Sequence, residues 1–243
     1  YIETARLFDV IITTDANCVK KYADLTQSKI FVMPFTLNPL TINNIGRQND
    51  NDNSFFAGSF TYALSEERKQ NTSILLDKLN TKDFILFDRS LNELTRKTFY
   101  NSKYNLNIFH PKYNKYIHPA ISHSELLNVH LMTNWCGNLN TVKNSDTMFA
   151  RRVLEAFIMK NSLVTDYSQG VYRNFENSIY KLEDKLKYDT NEDILLNQIK
   201  KQIGWRTVIE NYNSYTHFSE IFNETDIKNF KNPFLEKEKI SII

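Results

Sequence analysis

The sequence predicts an α/β protein in which helices flank a parallel sheet. Its 243 residues, of which 41% are hydrophobic, are enough to bury one large core or two small ones. Short apolar runs of strand length alternate with stretches of helical periodicity, which is the order typical of βαβ units. These two observations exclude a disordered tail and a small peptide scaffold.

The N-terminal 40 residues contain one βαβ unit. Residues 8–14 and 29–34 are apolar runs of strand length, and the polar stretch between them ends in a short helical sequence. Residues 41–53 then become polar, with an Asn- and Asp-rich tract that cannot pack a core. We therefore expect the tail of one domain at 1–40 and a linker at 41–53. Because the chain begins at Tyr1, in what reads as the middle of an element, we expect it to be a piece of a longer protein.

A second α/β domain is expected at 54–222, followed by a C-terminal tail at 223–243. Hydrophobic patterning predicts strands at 54–59, 83–88, 105–109, 131–135 and 162–166. It predicts helices at 66–79, 123–130 and 147–160, and a helical pattern from 189 to about 222. His118, which precedes a proline, is assigned to a loop.

Composition excludes several classes of function. The 30 basic and 28 acidic residues are spread fairly evenly, so the chain has no basic stripe for nucleic acid. The longest apolar runs, such as 84–87, are too short to span a membrane. The two cysteines cannot form a disulfide framework, and the five histidines show no metal-ligand grouping. We expect a reducing compartment, no nucleic-acid partner, no membrane span and no bound metal, and we expect Cys136 to be a buried thiol.

Residues 138–157 hold the predicted binding site. A strand leads into a polar loop, and the loop ends at the N-cap candidates Ser145 and Asp146. The helix predicted to follow would present free backbone amides at its positive end. The sequence therefore predicts a phosphate site at this helix N-terminus.

The predicted helix has two different faces. Its core stripe is formed by Phe149, Val153 and Phe157, with Leu154 beside it. Glu155 projects away from that stripe, and Arg151 and Arg152 share its side. One interpretation is a cleft-facing set, in which guanidinium groups bind a diphosphate and the carboxylate accepts from a sugar diol. The other is an exposed helix face with an Arg–Glu pair worth a few tenths of a kcal/mol.

The same stretch carries a longer motif. Residues 138–157 follow the pattern N-x-N-T-V…S-x-T-M-F-x-R-R-V-x-E, and the strand after them leads to S-x-G at 168–170. With further segments at 56–59, 86–89 and 206–217, the sequence resembles the CgeB-like, spore-maturation-type glycosyltransferases over residues 55–222.

The resemblance implies the GT-B fold, which has two Rossmann-like halves and holds a nucleotide-sugar donor in the C-terminal half. Residues 54–222 would be that half, and 1–40 the end of an acceptor-side half that is mostly missing from this chain. The implied activity moves a sugar from a nucleotide-diphosphate donor to a cell-envelope or surface glycan, or to a lipid-linked acceptor. It implies no cofactor besides the donor and no metal. It also implies a cytoplasmic location, with peripheral association at the inner face of the cell membrane as an alternative.

The resemblance also implies donor-binding residues. Gly58 and Ser59 would let backbone approach the phosphates, Ser145 and Thr147 would bind the diphosphate, and Glu155 would take the ribose hydroxyls. Arg151 or Arg152 would neutralise the leaving diphosphate. Arg89 follows a strand and is either a donor contact or an ion-pair partner of a neighbour such as Asp88. The full predicted set is Gly58, Ser59, Arg89, Asn140, Thr141, Ser145, Thr147, Arg151, Arg152 and Glu155.

Three departures from the family pattern leave the catalytic residue unassigned. Thr147 stands where related retaining transferases carry a second Glu, so the stereochemical outcome stays open. After the predicted helix, Asn161 takes the place of a Gly turn by tolerating a left-handed conformation. The late motif near His217 lacks its Arg. A non-catalytic nucleotide- or glycan-binding module with the same fold is therefore an alternative. An epimerase or phosphotransferase is disfavoured, because neither GxGxxG nor GxxxxGK[ST] occurs.

Overall fold

A computed structural model describes residues 2–38, 52–58, 65–80, 83–88, 111–186 and 190–225. The N-terminal part is a βαβ unit. It begins with helix α1 (Ile2–Ala5) and strand β1 (Val10–Thr13), continues through a 3-10 turn and helix α2 (Val19–Ala23), and ends with strand β2 (Lys29–Val32). β1 and β2 pair in parallel, as the sequence predicts.

Among the described residues, the larger part has six strands, all of them paired in parallel. They are β3 (Ser54–Gly58), β4 (Phe84–Asp88), β5 (Ile117–Pro119), β6 (Trp135–Asn138), β7 (Ser162–Thr165) and β8 (Ile179–Lys181). The helices are α3 (Glu66–Leu79), α4 (His123–Met132), α5 (Arg151–Ile158), α6 (Gln169–Phe175), α7 (Asn191–Asn211) and α8 (Ser214–Glu224).

The strand order in this sheet is β5-β4-β3-β6-β7-β8. From β3, the chain adds β4 and then β5 on one side of the sheet. It then returns to the other side of β3, where it adds β6, β7 and β8. This is the doubly wound order of Rossmann-like domains, which places a crevice between the first and fourth strands. The predicted α/β class with a Rossmann-like parallel sheet and flanking helices is confirmed.

Both faces of the sheet are buried, because successive residues of a strand point to opposite sides. Phe55, Cys136 and Leu163 pack with α5 in one core cluster. Their neighbours Phe56, Trp135 and Val164 pack with α3 in a second cluster on the other face. Because both faces of these strands are buried, their sequences are continuous apolar runs and do not alternate between apolar and polar residues.

One strand prediction and one loop prediction are wrong. The strand predicted at 131–135 begins only at Trp135. Leu131 and Met132 are instead the last two residues of α4, whose N-terminus is stabilised by a capping box between Ser122 and Glu125. His118 lies in β5 rather than in a loop. A three-residue strand that contains a proline has little pattern to detect, and its proline is tolerated because β5 is at the sheet edge.

The helix predicted at 147–160 is shorter than expected. It begins at Arg151 and its N-cap is Ala150, so the predicted N-caps Ser145 and Asp146 are wrong. The Ser145 hydroxyl instead accepts a hydrogen bond from the amide of Met148 at 3.1 Å, which closes a separate turn before the helix. After the helix, the left-handed residue is Lys160, with φ of 55°, and not Asn161.

The predicted strand at 105–109, most of the linker, and residues 226–243 of the tail lie outside the described residues. The domain boundaries therefore stay a prediction. No helix in the described part of the chain has the length and apolar character needed to cross a membrane.

Candidate functional site

A cavity of about 660 Å³ opens at the carboxyl edge of the sheet. It lies where β3 and β6 meet, the switch point at which open α/β sheets bind ligands. Its walls come from the ends of β3 and β4, the loop after β6 and the start of α5. Six of the predicted site residues line it: Gly58, Asn140, Thr141, Arg151, Arg152 and Glu155.

The other four predicted residues lie elsewhere or cannot be placed. Ser145 and Thr147 are not part of the cavity wall. Ser59 and Arg89 fall outside the described residues, so their predicted roles stay predictions.

Glu155 is the main charged group of the cavity. It is only 5% exposed, although the Arg–Glu surface pair considered above would leave it in solvent. Its Oε1 atom lies 2.8 Å from Nε of Arg151 and 2.8 Å from Nε2 of His123. Within the described part of the chain, its Oε2 atom accepts no hydrogen bond. Because a buried carboxylate is costly unless it is paired, the two neighbours stabilise Glu155 in the wall of the cavity.

His123 is a site residue that the sequence does not predict. It is the first residue of α4, it lines the cavity, and its Nε2 also lies 2.6 Å from Nη2 of Arg151. It is 32 positions from Glu155 in sequence. No local pattern could reveal this contact, because it depends on how α4 and α5 pack together.

Arg152 takes a different position from Arg151. Its guanidinium carbon lies 5.3 Å from the centre of the Phe56 ring, an arrangement that favours a cation over the aromatic face. The same ring accounts for Gly58, since a Cβ there would lie 2.8 Å from Phe56 Cζ. A larger residue at position 58 would thus need the Phe56 ring to shift, in addition to any effect on the approach of a ligand.

Asn140 lies in a buried polar network below the cavity. Its amide N–H donates to Asp166 Oδ1 at 2.8 Å, and its Nδ2 donates to Thr165 Oγ1 at 3.0 Å. Lys143 forms an ion pair with the same Asp166. Thr141, at the rim, accepts from Nη1 of Arg68 at 3.3 Å. These bonds fix the loop that follows β6 and so shape one wall of the cavity.

Ser145 and Thr147 join the six-stranded part to the N-terminal unit. The Ser145 hydroxyl donates to Asp15 Oδ1 at 2.7 Å. The Thr147 hydroxyl donates to the carbonyl of Thr14 at 2.9 Å and accepts from the amide of Ala16 at 2.9 Å. The loop that precedes α5 therefore holds the carboxyl end of β1.

Two titratable groups near the site are buried in apolar surroundings. Burial raises the pKa of the Cys136 thiol to about 12, and it lowers the pKa of His130 to about 4. Both groups are thus neutral near pH 7, and Cys136 is a buried thiol, as the sequence predicts. Among the described residues, no group of three or more His, Cys, Asp or Glu side chains is arranged to hold a metal ion.

Several solved structures share this fold, and glycosyltransferases are among them. A glycosyltransferase from Rickettsia africae has a TM-score of 0.57 and 12% identity, with 94% of this chain and 67% of that chain covered. TarM from S. aureus, in a complex with Fondaparinux, alpha-GlcNAc-glycerol and UDP, has a TM-score of 0.57 and 12% identity over 91% of this chain and 45% of that one. HepE from Anabaena, in complex with UDP, has a TM-score of 0.51 and 13% identity, with 93% of this chain and 66% of that chain covered.

Sequence comparison finds no such relative. No protein-family model matches the chain, and no curated protein matches it. At the identities given above, the structural likeness shows the fold alone. The chain spans between about half and two thirds of the length of these three proteins.

Proposed function

We propose that this chain contains the nucleotide-sugar-binding half of a GT-B glycosyltransferase of the CgeB-like type. Three observations support the proposal: the fold shared with glycosyltransferases, the cavity at the sheet switch point, and the charged groups that meet there. The resemblance of residues 138–157 to the family motif supports the CgeB-like subtype.

The position of Glu155 carries the proposal. A buried carboxylate in a cavity wall, with one oxygen held by its neighbours, is suited to accept hydrogen bonds from two neighbouring hydroxyls, such as those of a ribose. Arg151 and His123 both contact Oε1, so neither competes for Oε2. We assign Glu155 to the ribose of the donor.

The donor diphosphate would lie at the start of α5. Arg151 and Arg152 are the first two residues of that helix and both line the cavity. The positive end of the helix and two guanidinium groups favour an anion there and would stabilise the charge on the departing nucleoside diphosphate. Catalysis on this proposal rests on positioning and electrostatics, with no metal ion.

The acceptor in this proposal is a cell-envelope or surface glycan, free or lipid-linked, at the cytoplasmic side of the membrane. This part rests on the family resemblance alone. The acceptor site and a catalytic side chain would come from the N-terminal half, of which residues 1–40 would be the end.

A thermal-shift screen of the chain against nucleoside diphosphates tests the donor site. UDP comes first, since TarM and HepE were solved with it; GDP, CDP and ADP follow. A ligand at 100 times its Kd adds about 2.7 kcal/mol to the free energy of unfolding.

We expect one nucleoside diphosphate to stabilise the chain, and Glu155→Gln and Arg152→Ala to remove that shift. The control is Glu176→Gln, which breaks a surface ion pair with Lys181 away from the cavity and should leave the shift unchanged. The donor-site assignment fails if no nucleoside diphosphate binds the chain or the longer protein that contains it, or if the shift survives Glu155→Gln.

A binding module without turnover is the second candidate. Thr147 replaces the acidic residue of related retaining enzymes, and both its hydrogen bonds go to the N-terminal unit. Release of nucleoside diphosphate from a nucleotide sugar by the full-length protein would contradict this candidate. Binding of the donor with no turnover, in the presence of acceptor extracts, would favour it.

A further inference from the structure

Helix α7 carries an apolar stripe on its solvent side. Its buried residues recur every three or four positions, at Asn197, Lys201, Gly204 and Val208. On the opposite side, Leu195, Leu196, Ile199 and Ile203 are 57%, 49%, 46% and 38% exposed. At about 100° per residue, all four lie within about 60° of Ile199. Four large apolar side chains clustered on one exposed helix face are the mark of an interaction surface rather than of scattered surface residues.

The charges at the ends of the stripe are of opposite sign. Glu192 lies one turn before the apolar residues and Arg206 follows them, both within about 20° of Ile199 around the helix axis. Arg206 is exposed, and its Nε atom lies 2.7 Å from Glu210 Oε1. Glu192 is exposed as well and forms no ion pair within the described ranges.

These charges distinguish the two ways of pairing α7 with a second α7. In a parallel pair, Glu192 would face another Glu192. In an antiparallel pair centred on Ile199, Glu192 faces Arg206 of the partner subunit and Leu195 faces Ile203 of the partner subunit. An antiparallel pair also has two-fold symmetry, so each contact occurs twice and the interface closes on itself.

We propose that α7 is the interface of a two-fold symmetric dimer, in which it packs antiparallel against α7 of a second copy of this chain. The stripe supplies the apolar centre, and the two Glu192–Arg206 pairs supply the rim and set the direction. The acidic residues Glu192 and Asp193 in the first turn of the helix favour this occupant over an anionic lipid surface, which would repel them.

Sedimentation velocity of the 243-residue chain, over about a hundredfold range of concentration, tests the proposal. We expect a concentration-dependent dimer. Ile199→Glu should raise the dimer dissociation constant by at least ~10-fold, because it buries a carboxylate without a partner. The matched control is Met132→Glu, which replaces an exposed apolar residue at the end of α4 and should leave the dimer intact. Circular dichroism verifies that each variant is folded.

A charge exchange tests the direction of packing. Glu192→Arg and Arg206→Glu should each weaken the dimer, and the double variant should recover most of the affinity, because the two charges again face their opposites. A dimer that Ile199→Glu does not weaken overturns the proposal. A chain that stays monomeric at every concentration also overturns the proposal. The same holds if the monomeric chain binds anionic vesicles through the stripe, or if it self-associates only after residues 226–243 are removed.

Discussion

Among single residues, Glu155 and His130 show opposite ways of keeping an ionisable group inside a protein. Glu155 keeps its place in the cavity through contacts with Arg151 and His123. His130 has a buried ring whose Nδ1 lies 2.6 Å from Asn161 Oδ1, and burial keeps it uncharged. The first arrangement leaves a carboxylate that a ligand can use, whereas the second makes the stability of the fold depend on pH.

We predict that His123→Ala weakens nucleoside diphosphate binding by about tenfold. The substitution removes the Nε2 atom that lies against both the Glu155 carboxylate and the Arg151 guanidinium, and loss of one supporting hydrogen bond typically costs about 1 kcal/mol or slightly more. Isothermal titration calorimetry measures the effect, with His217→Ala as the control, because His217 bonds to a helix carbonyl away from the cavity. Unchanged affinity in His123→Ala would show that Arg151 alone positions the carboxylate.

We predict that the free energy of unfolding falls by about 2 kcal/mol between pH 7 and pH 5 because of His130. Its pKa is about 4 in the folded state against an ordinary value of 6.5, so the unfolded chain binds a proton in this window and the folded chain does not. Stability therefore rises with pH between about 4 and 6.5 and is lost as the pH falls. Urea unfolding at several pH values measures this. The variant His118→Asn should keep the dependence of the free energy of unfolding on pH, and His130→Gln should reduce it. The same pH dependence in the unsubstituted protein and both variants would disprove the assignment.

Among the elements, the loop before α5 is the one on which most of the site depends. Its shape is fixed partly by α6, whose N-cap and first two residues form the S-x-G motif. A Cβ at Gly170 would lie 2.8 Å from the carbonyl oxygen of Ser145 and 3.1 Å from that of Met148. Glycine is therefore needed here so that the first turn of α6 can approach the loop backbone, which gives the S-x-G motif a structural reason.

We predict that Gly170→Ala lowers the free energy of unfolding by about 1–3 kcal/mol, because backbone carbonyls cannot move aside as side chains can. The displaced loop carries Ser145 and Thr147 and leads into Arg151, so we also expect weaker nucleoside diphosphate binding. Chemical denaturation and calorimetry measure the two effects. Arg173→Ala on the same helix, which breaks an exposed ion pair with Asp146, should cost less than about 1 kcal/mol. A fully stable Gly170→Ala would contradict the close approach.

The sequence predicts helices and strands correctly where burial produces a regular hydrophobic pattern. The prediction fails where local hydrogen bonds or tertiary contacts set the start of an element. β3, α3, β4 and β7 lie within about two residues of their predicted ends, since their apolar runs are bounded by polar residues. The start of α5 is misplaced, because Ser145 and Thr147 use their hydroxyls in a turn and in contacts with residues 14–16. Glu155 can be proposed from its motif, but its contact with His123 exists only once two distant helices pack.

In the whole molecule, the loop before α5 makes polar contacts that join the two sheets. Thr147 bonds to Thr14 and Ala16, Ser145 bonds to Asp15, and the side chain of Asn17 donates to the carbonyl of Asn144 at 2.7 Å. The loop that joins the sheets also leads directly into the cavity-lining start of α5. Displacement of the N-terminal unit and occupation of the cavity would therefore affect the same few residues.

We predict that Thr147→Val loosens the N-terminal unit while the six-stranded sheet stays folded. The change removes two hydrogen bonds and leaves the amide of Ala16 without its acceptor, at a cost of about 1–3 kcal/mol. Hydrogen exchange should become faster in residues 10–32 and stay unchanged in the strands β6 and β7. Thr207→Val, whose hydroxyl bonds only within its own helix, is the control. Equal protection of both regions in the two variants would show that other contacts hold the unit in place.

The strand order also has a consequence for folding during synthesis on the ribosome. β3 is the first strand of the large sheet to be synthesised, yet it lies in the middle, and the register pairs Ser54 with Trp135, which follows about 80 residues later. At about 5–20 residues per second, a ribosome needs about 4–16 s to cover that distance. During this interval one edge of β3, with Phe55 and Phe56 on its two faces, has no partner strand, and open apolar edges pair readily with other chains. Nascent chains should therefore be prone to aggregate after β3 has emerged and before β6 has.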